Sequence, residues 1–127
     1  MMHRLKRRWK SFGFAFKGLA DMLRTQPNAR FHTLAAVLVI AAGLYVNLST
    51  IEWCLISLAI ALVFAAEAFN TALEYLVDLT SPHPHPLAGK AKDAAAAAVL
   101  LTAIGAAVLG VLVFGPKIEC LMFNAGC

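Results

Sequence analysis

Charge is scarce in this sequence: 14% of its 127 residues are Asp, Glu, Lys or Arg, against about 25% in an ordinary soluble domain. Acid is scarcer still, with 7 Asp and Glu in total. Hydrophobic residues make up 61%, well above the usual 45–50% or so. The mean hydropathy is +0.74. This balance excludes a disordered chain, a coiled coil and a typical soluble enzyme. One domain of this length could not hide so much apolar surface from water, so lipid is the expected solvent for its exterior. Cysteine is also sparse. Cys54, Cys120 and Cys127 form an odd set with no metal-ligand spacing, and no structural disulfide is expected. Cys54 sits in an apolar run as a small packed or lipid-facing residue. No cleavable signal peptide is expected, because the N-terminal segment stays basic for too long and interleaves its aromatics with Lys and Gly.

What is present is three long apolar runs. A spanning helix needs about 20 apolar residues. Residues 94–114 supply them outright, and residues 31–48 do so with their flanks. The run that begins at Trp53 meets Glu67, Asn70, Glu74 and Asp78, yet no Gly or Pro interrupts it before Pro82. The pattern predicts one helix over 53–79 that leaves the bilayer core while remaining helical. The expected fold is therefore an all-α membrane protein with three transmembrane helices. Ahead of them, residues 5–24 place Leu5, Trp9, Phe12, Phe16, Leu19 and Leu23 at spacings of three and four among Lys and Arg, the pattern of an amphipathic helix on the membrane surface. Of the 11 Lys and Arg, all but Lys117 fall on one side of this topology. The positive-inside rule makes that side, and the N-terminus, cytoplasmic.

Glu67, Asn70, Glu74 and Asp78 lie at i, i+3, i+7 and i+11, within about 80° of one another around a helix and along about 16 Å of it. Carboxylates on one face repel unless a cation or donor sits between them. A solvated helix end explains Asp78 and Glu74. It explains Glu67 and Asn70 poorly, because they abut the apolar core, where ionisable groups are costly. The connection 80–93 carries Pro82, Pro84 and Pro86 in alternation and is expected to be extended. It carries His83 and His85, which point in opposite directions in an extended segment and favour contact with a nucleotide over joint metal chelation. Lys92 and Asp93 precede the alanine run of the last span. Asp93 is the expected N-cap, and a helix N-terminus beside a lysine suits phosphate oxygens. Carboxylates for Mg²⁺ and a lysine for phosphate are parts of a phosphoryl-transfer site. Ala94, Ala98, Thr102, Ala106 and Gly110 form a small-residue ridge expected to receive another helix.

The run from Glu67 through Asn70 and Glu74 to Asp78, followed by Lys92-Asp93 and a small-residue helix, resembles the bacterial diacylglycerol kinase and undecaprenol kinase family. Phe16-Lys17-Gly18-Leu19 and Asn28-Ala29-Arg30-Phe31-His32 extend the similarity, which spans about residue 7 to residue 114. The resemblance implies a homotrimer in the cell (inner or plasma) membrane that transfers phosphate from Mg-ATP to a lipid hydroxyl, with no nucleic-acid partner. It implies that Glu67 is the catalytic base and that Glu74 binds Mg²⁺ and nucleotide. Lys92 and Asp93, the loop with His83 and His85, and Arg7 and Phe14 on the surface helix match nucleotide contacts, and Asn70 and Asp78 match site-lining residues. At one position the sequence departs from the pattern. A metal-binding Glu of the family aligns with Gln26, whose carbonyl ligates Mg²⁺ without bringing charge. Undecaprenol and diacylglycerol both remain acceptors on this reading. A small transporter would place its carboxylates near the bilayer midplane. A lipid-phosphate phosphatase would need a nucleophile or an Arg-rich clamp. A non-catalytic scaffold would not need aligned carboxylates.

Overall fold

The computed structural model describes residues 2–123, with side chains from residue 9 to residue 122. Its described residues form four helices: α1 (Met2–Thr25), α2 (Pro27–Tyr45), α3 (Thr50–Thr80) and α4 (Pro86–Phe123). The last three are long and apolar enough to cross a membrane. Large apolar side chains point outward along them, among them Leu38, Leu58, Leu101 and Leu112. Such a surface is stable against acyl chains and not against water.

The α1–α2 corner forms at Gln26, which is extended (φ −101°, ψ 113°) as the residue before a proline must be, and Pro27 opens α2 where a missing N–H costs nothing. Arg30 clamps this corner by donating from Nε to the Leu23 carbonyl at 3.0 Å and from its terminal nitrogen to the Arg24 carbonyl. Those carbonyls sit at the end of α1, where backbone acceptors lack helical partners. On α1 the side chains of Trp9, Phe12, Phe14 and Phe16 are all exposed, as suits a helix lying in the membrane surface.

Helix α2 stops at Tyr45, short of the expected 48, because Asn47 turns the chain with φ 53° and Leu48 N–H bonds back to the Gly43 carbonyl. A side chain at Gly43 would meet Leu48 and Trp53 at 2.9 Å, so glycine permits the close approach there. Ser49 then caps α3 through a reciprocal pair with Glu52, worth about 1 kcal/mol. Leu48, Ile56 and Val113 pack together beneath Trp53 and Phe114. Lys117 Nζ lies 3.4 Å from Glu52 at the same end.

Helix α3 runs unbroken through Glu67 to Thr80. Its 31 residues exceed what a hydrocarbon core of about 30 Å requires, so its acidic end projects beyond the apolar zone. Helix α4 departs from expectation. It begins at Pro86, not near residue 94, because proline is acceptable in a first turn. Asp93 is therefore an exposed residue inside the helix and not its N-cap. Helices α3 and α4 form the most extensive packed pair. The face that α4 buries is marked by Ala95, Val99 and Val113. Thr102, Ala106 and Gly110 of the expected ridge are half-buried, but Ala94 and Ala98 face outward. Cys54 is exposed and free, whereas Cys120, contrary to expectation, is disulfide-bonded.

Candidate active site

The polar stripe on α3 is graded by depth. Glu67 is 1% exposed and Asn70 7%, Glu74 is half-buried and Asp78 is exposed. Because the four side chains share one face, each meets a different neighbour as the helix rises out of the core.

Glu74 holds the centre. Gln26 Nε2 donates to its Oε2 at 2.8 Å, and Asn70 Nδ2 donates to its Oε1 at 3.2 Å. The α1–α2 corner thus places residue 26 directly against α3. Next to this pair, Tyr75 donates its hydroxyl proton to Asp21 Oδ2 at 2.8 Å and lies 3.2 Å from the Thr25 hydroxyl. These contacts latch the end of α1 to α3 and fix the entry of Gln26. Asp21 and Tyr75 were not read as site residues from sequence. Asp21 is the single acid ahead of Glu52, inside a strongly basic segment, and that isolation was the available signal.

Glu67 occupies the apolar side. Its Oε1 accepts no hydrogen bond, and His32 Nε2 is 3.4 Å away. Asn70 Oδ1 is likewise buried without a partner. Just beyond, a cavity of about 590 Å³ opens between α2, α3 and α4, lined by His32, Val39, Ile56, Phe64, Gly110 and Phe114 among others. Phe64 at its inner end lies three residues before Glu67, so the carboxylate sits about one helical turn past the cavity.

At the outer reach of the stripe, Lys92 Nζ pairs with Asp78 at 2.5 Å. These two residues, His83, His85 and Gly89 border a second cavity of about 380 Å³. Ala88 and Gly89, in the first turn of α4, border the same space beside the lysine and the histidines. His85 Nδ1 accepts from the Leu87 N–H at 3.2 Å, which caps that first turn. Asp93 is exposed beside Lys92 but does not line this space. Phe14 is exposed on α1, with the Lys17 ammonium 6.0 Å from its ring centre, outside both cavities. Arg7 lies on α1, and its side chain is outside the described residues.

Among the described residues no group of three or more His, Cys, Asp or Glu forms a metal cage. The donors that do converge are the Glu74 carboxylate and the amides of Gln26 and Asn70, with Asn70 Oδ1 still unpartnered. Hard oxygen donors with one charge suit Mg²⁺, which keeps several waters and is usually shared with substrate phosphates. The residues therefore fit a magnesium ion that arrives with a nucleotide.

A membrane-spanning bundle with carboxylates at one end of an apolar cavity, and a lysine beside a helix N-terminus, has the layout of an integral membrane phosphotransferase acting on a lipid. The chain belongs to the prokaryotic diacylglycerol kinase family, whose model matches residues 13–114. That membership makes it a membrane lipid kinase. An undecaprenol kinase of Bacillus subtilis is 46% identical over 114 residues, covering 90% of this chain and 93% of that protein. A diacylglycerol kinase of Synechocystis is 42% identical over 113 residues, 88% of this chain but 65% of the cyanobacterial protein. A diacylglycerol kinase of Escherichia coli K12 is 30% identical over 99 residues, 78% of this chain and 81% of that protein.

Proposed function

We propose that this protein catalyses ATP-dependent phosphorylation of undecaprenol at the cytoplasmic face of the cell membrane, as a homotrimer with its N-terminus inside. The observation that carries the reading is Glu67, a buried carboxylate with an unpartnered oxygen, poised between an apolar cavity and the Glu74 cluster. The cavity would take part of an isoprenoid chain, with the hydroxyl at the His32 and Glu67 end. The 46% identity to an undecaprenol kinase favours that acceptor, and diacylglycerol is the comparison that tests it.

In the proposed reaction Glu67 accepts the proton of the lipid hydroxyl as the hydroxyl oxygen bonds to the terminal phosphorus of ATP. The bond from that phosphorus to the bridging oxygen breaks, and ADP leaves with the electron pair. Glu74 would hold Mg²⁺, with the amide oxygens of Gln26 and Asn70 joining it once these amides turn away from donating N–H to the carboxylate. When bound, the ion neutralises phosphate charge. Lys92 releases Asp78 to meet the phosphates, while His83 and His85 border the nucleotide.

Transfer of label from γ-labelled ATP to extracted lipid tests the function. Undecaprenol should be labelled well ahead of diacylglycerol. Preferential labelling of diacylglycerol would replace the acceptor, and no labelling of either lipid would end the kinase reading.

Gln26 yields a separate expectation. In Gln26→Glu a second carboxylate replaces the amide that now donates to Glu74. Two carboxylates at that distance repel until a cation bridges them. The magnesium concentration for half-maximal activity should fall several-fold, while thermal stability in chelator should drop below wild type. A magnesium titration identical to wild type would remove residue 26 from the metal site.

A further inference from the structure

We infer that His32 is a positioning residue for the Glu67 carboxylate, holding Oε1 through its Nε2–H and leaving the second oxygen for the acceptor proton. The inference rests on the reading of Glu67 as the base and adds the group that aims it. The need for such a group is visible in the packing. Glu67 is almost fully buried and its Oε1 has no hydrogen-bond partner. The nearby amides are committed elsewhere, since Gln26 and Asn70 both donate to Glu74. The Thr71 hydroxyl donates to the Glu67 backbone carbonyl at 2.9 Å and so does not serve the carboxylate. Among the described residues this leaves His32 Nε2, 3.4 Å from Oε1, as the polar side-chain atom within reach.

The ring is itself oriented. Phe31 packs edge-on against it with centroids 5.8 Å apart, and the imidazole is only 17% exposed. A neutral imidazole donates from one nitrogen, so the arrangement requires the proton on Nε2. His32 also lines the apolar cavity, whereas Glu67 does not. The imidazole therefore touches both the carboxylate and the space proposed for the lipid chain. At 3.4 Å the two atoms are already within reach, so completing the hydrogen bond requires the ring to turn its N–H toward Oε1. Such realignment is expected when substrate binds, because catalytic hydrogen bonds are often poorly aligned in the free enzyme.

The test compares wild type, His32→Leu and His32→Gln as full chains in lipid nanodiscs. It measures kcat, the KM values for ATP and undecaprenol, and binding of a non-hydrolysable Mg-nucleotide. His32→Leu removes the donor and should lower kcat on the order of 10²-fold, the scale of a misplaced reacting group. Its nucleotide affinity should stay unchanged, which also shows that the variant is folded. His32→Gln presents an N–H at similar reach and should recover most of the lost kcat. Wild-type kcat in His32→Leu overturns the inference, as does a Gln variant no better than the Leu variant. Absence of phosphoryl transfer in the wild-type control would instead remove the kinase reading beneath it.

Discussion

Replacing Glu67 with Gln stops phosphoryl transfer and leaves nucleotide binding intact. The two side chains have nearly the same shape, so the buried site keeps its packing, and an amide oxygen still faces His32. What is lost is the ability to take a proton at the moment the lipid oxygen attacks phosphorus. General-base removal costs about 10²–10⁴ in rate, and the neutral side chain offers no substitute. The nucleotide should not register the change. Its proposed contacts are Glu74, Lys92, His83 and His85, and Glu74 lies seven residues along α3, about 10 Å along the axis. Turnover of the purified variant, with binding of a non-hydrolysable Mg-nucleotide measured in parallel, checks both halves. Activity within tenfold of wild type would strip Glu67 of its role as base.

The acidic stripe was legible in the sequence because its information is local. Glu67, Asn70, Glu74 and Asp78 share a face by helical periodicity alone, and α3 was predicted unbroken because nothing in 53–79 could break it. The bilayer supplied the rest of that inference, since carboxylates entering an apolar run are costly. Partners across helices were a different matter. His32 was read only as part of a short similarity, and Asp21 with Tyr75 not at all. Their contacts span 35 and 54 residues of sequence, and no periodicity carries the register of one helix against another. The Gln26–Glu74 contact spans 48 residues in the same way, and the family pattern marked both residues without giving their contact.

The error at the start of α4 has a distinct cause. Three alternating prolines were read as excluding helix, which holds for Pro82 and Pro84. Pro86 instead opens a helix, because a first-turn residue needs no donor and its fixed φ suits the turn. The shift brings the first turn of α4 to the histidine loop and leaves Asp93 exposed inside the helix. The division of the small-residue ridge follows from composition. Residues 94–98 are all alanine, so no contrast in side-chain size marks which of them turns inward. Ala95 and Val99 do so only through packing.

Replacing Glu74 with Gln produces the opposite kinetic pattern from Glu67→Gln. Glu74 is the one carboxylate at the point where Gln26 and Asn70 converge. Asp78 is tied to Lys92 at 2.5 Å, and Glu67 is buried on the far side of Asn70. A neutral side chain at 74 leaves three amides and no charge to hold a magnesium ion against its strongly bound water. Affinity for the Mg-nucleotide should fall on the order of 10²-fold, because charge-assisted contacts are roughly twice as strong as neutral ones and this site has a single anion to lose. Turnover should fall with it and recover partly at high magnesium and nucleotide, whereas no concentration of either rescues Glu67→Gln. Thermal stability should fall modestly, since Gln26 and Asn70 donate to different oxygens of Glu74 and a glutamine keeps only one of them. Nucleotide titrations of the two variants side by side separate the roles. Equal affinities would place the ion away from Glu74 and undo the division of labour along α3, with proton transfer at its buried end and phosphate binding toward its exposed one.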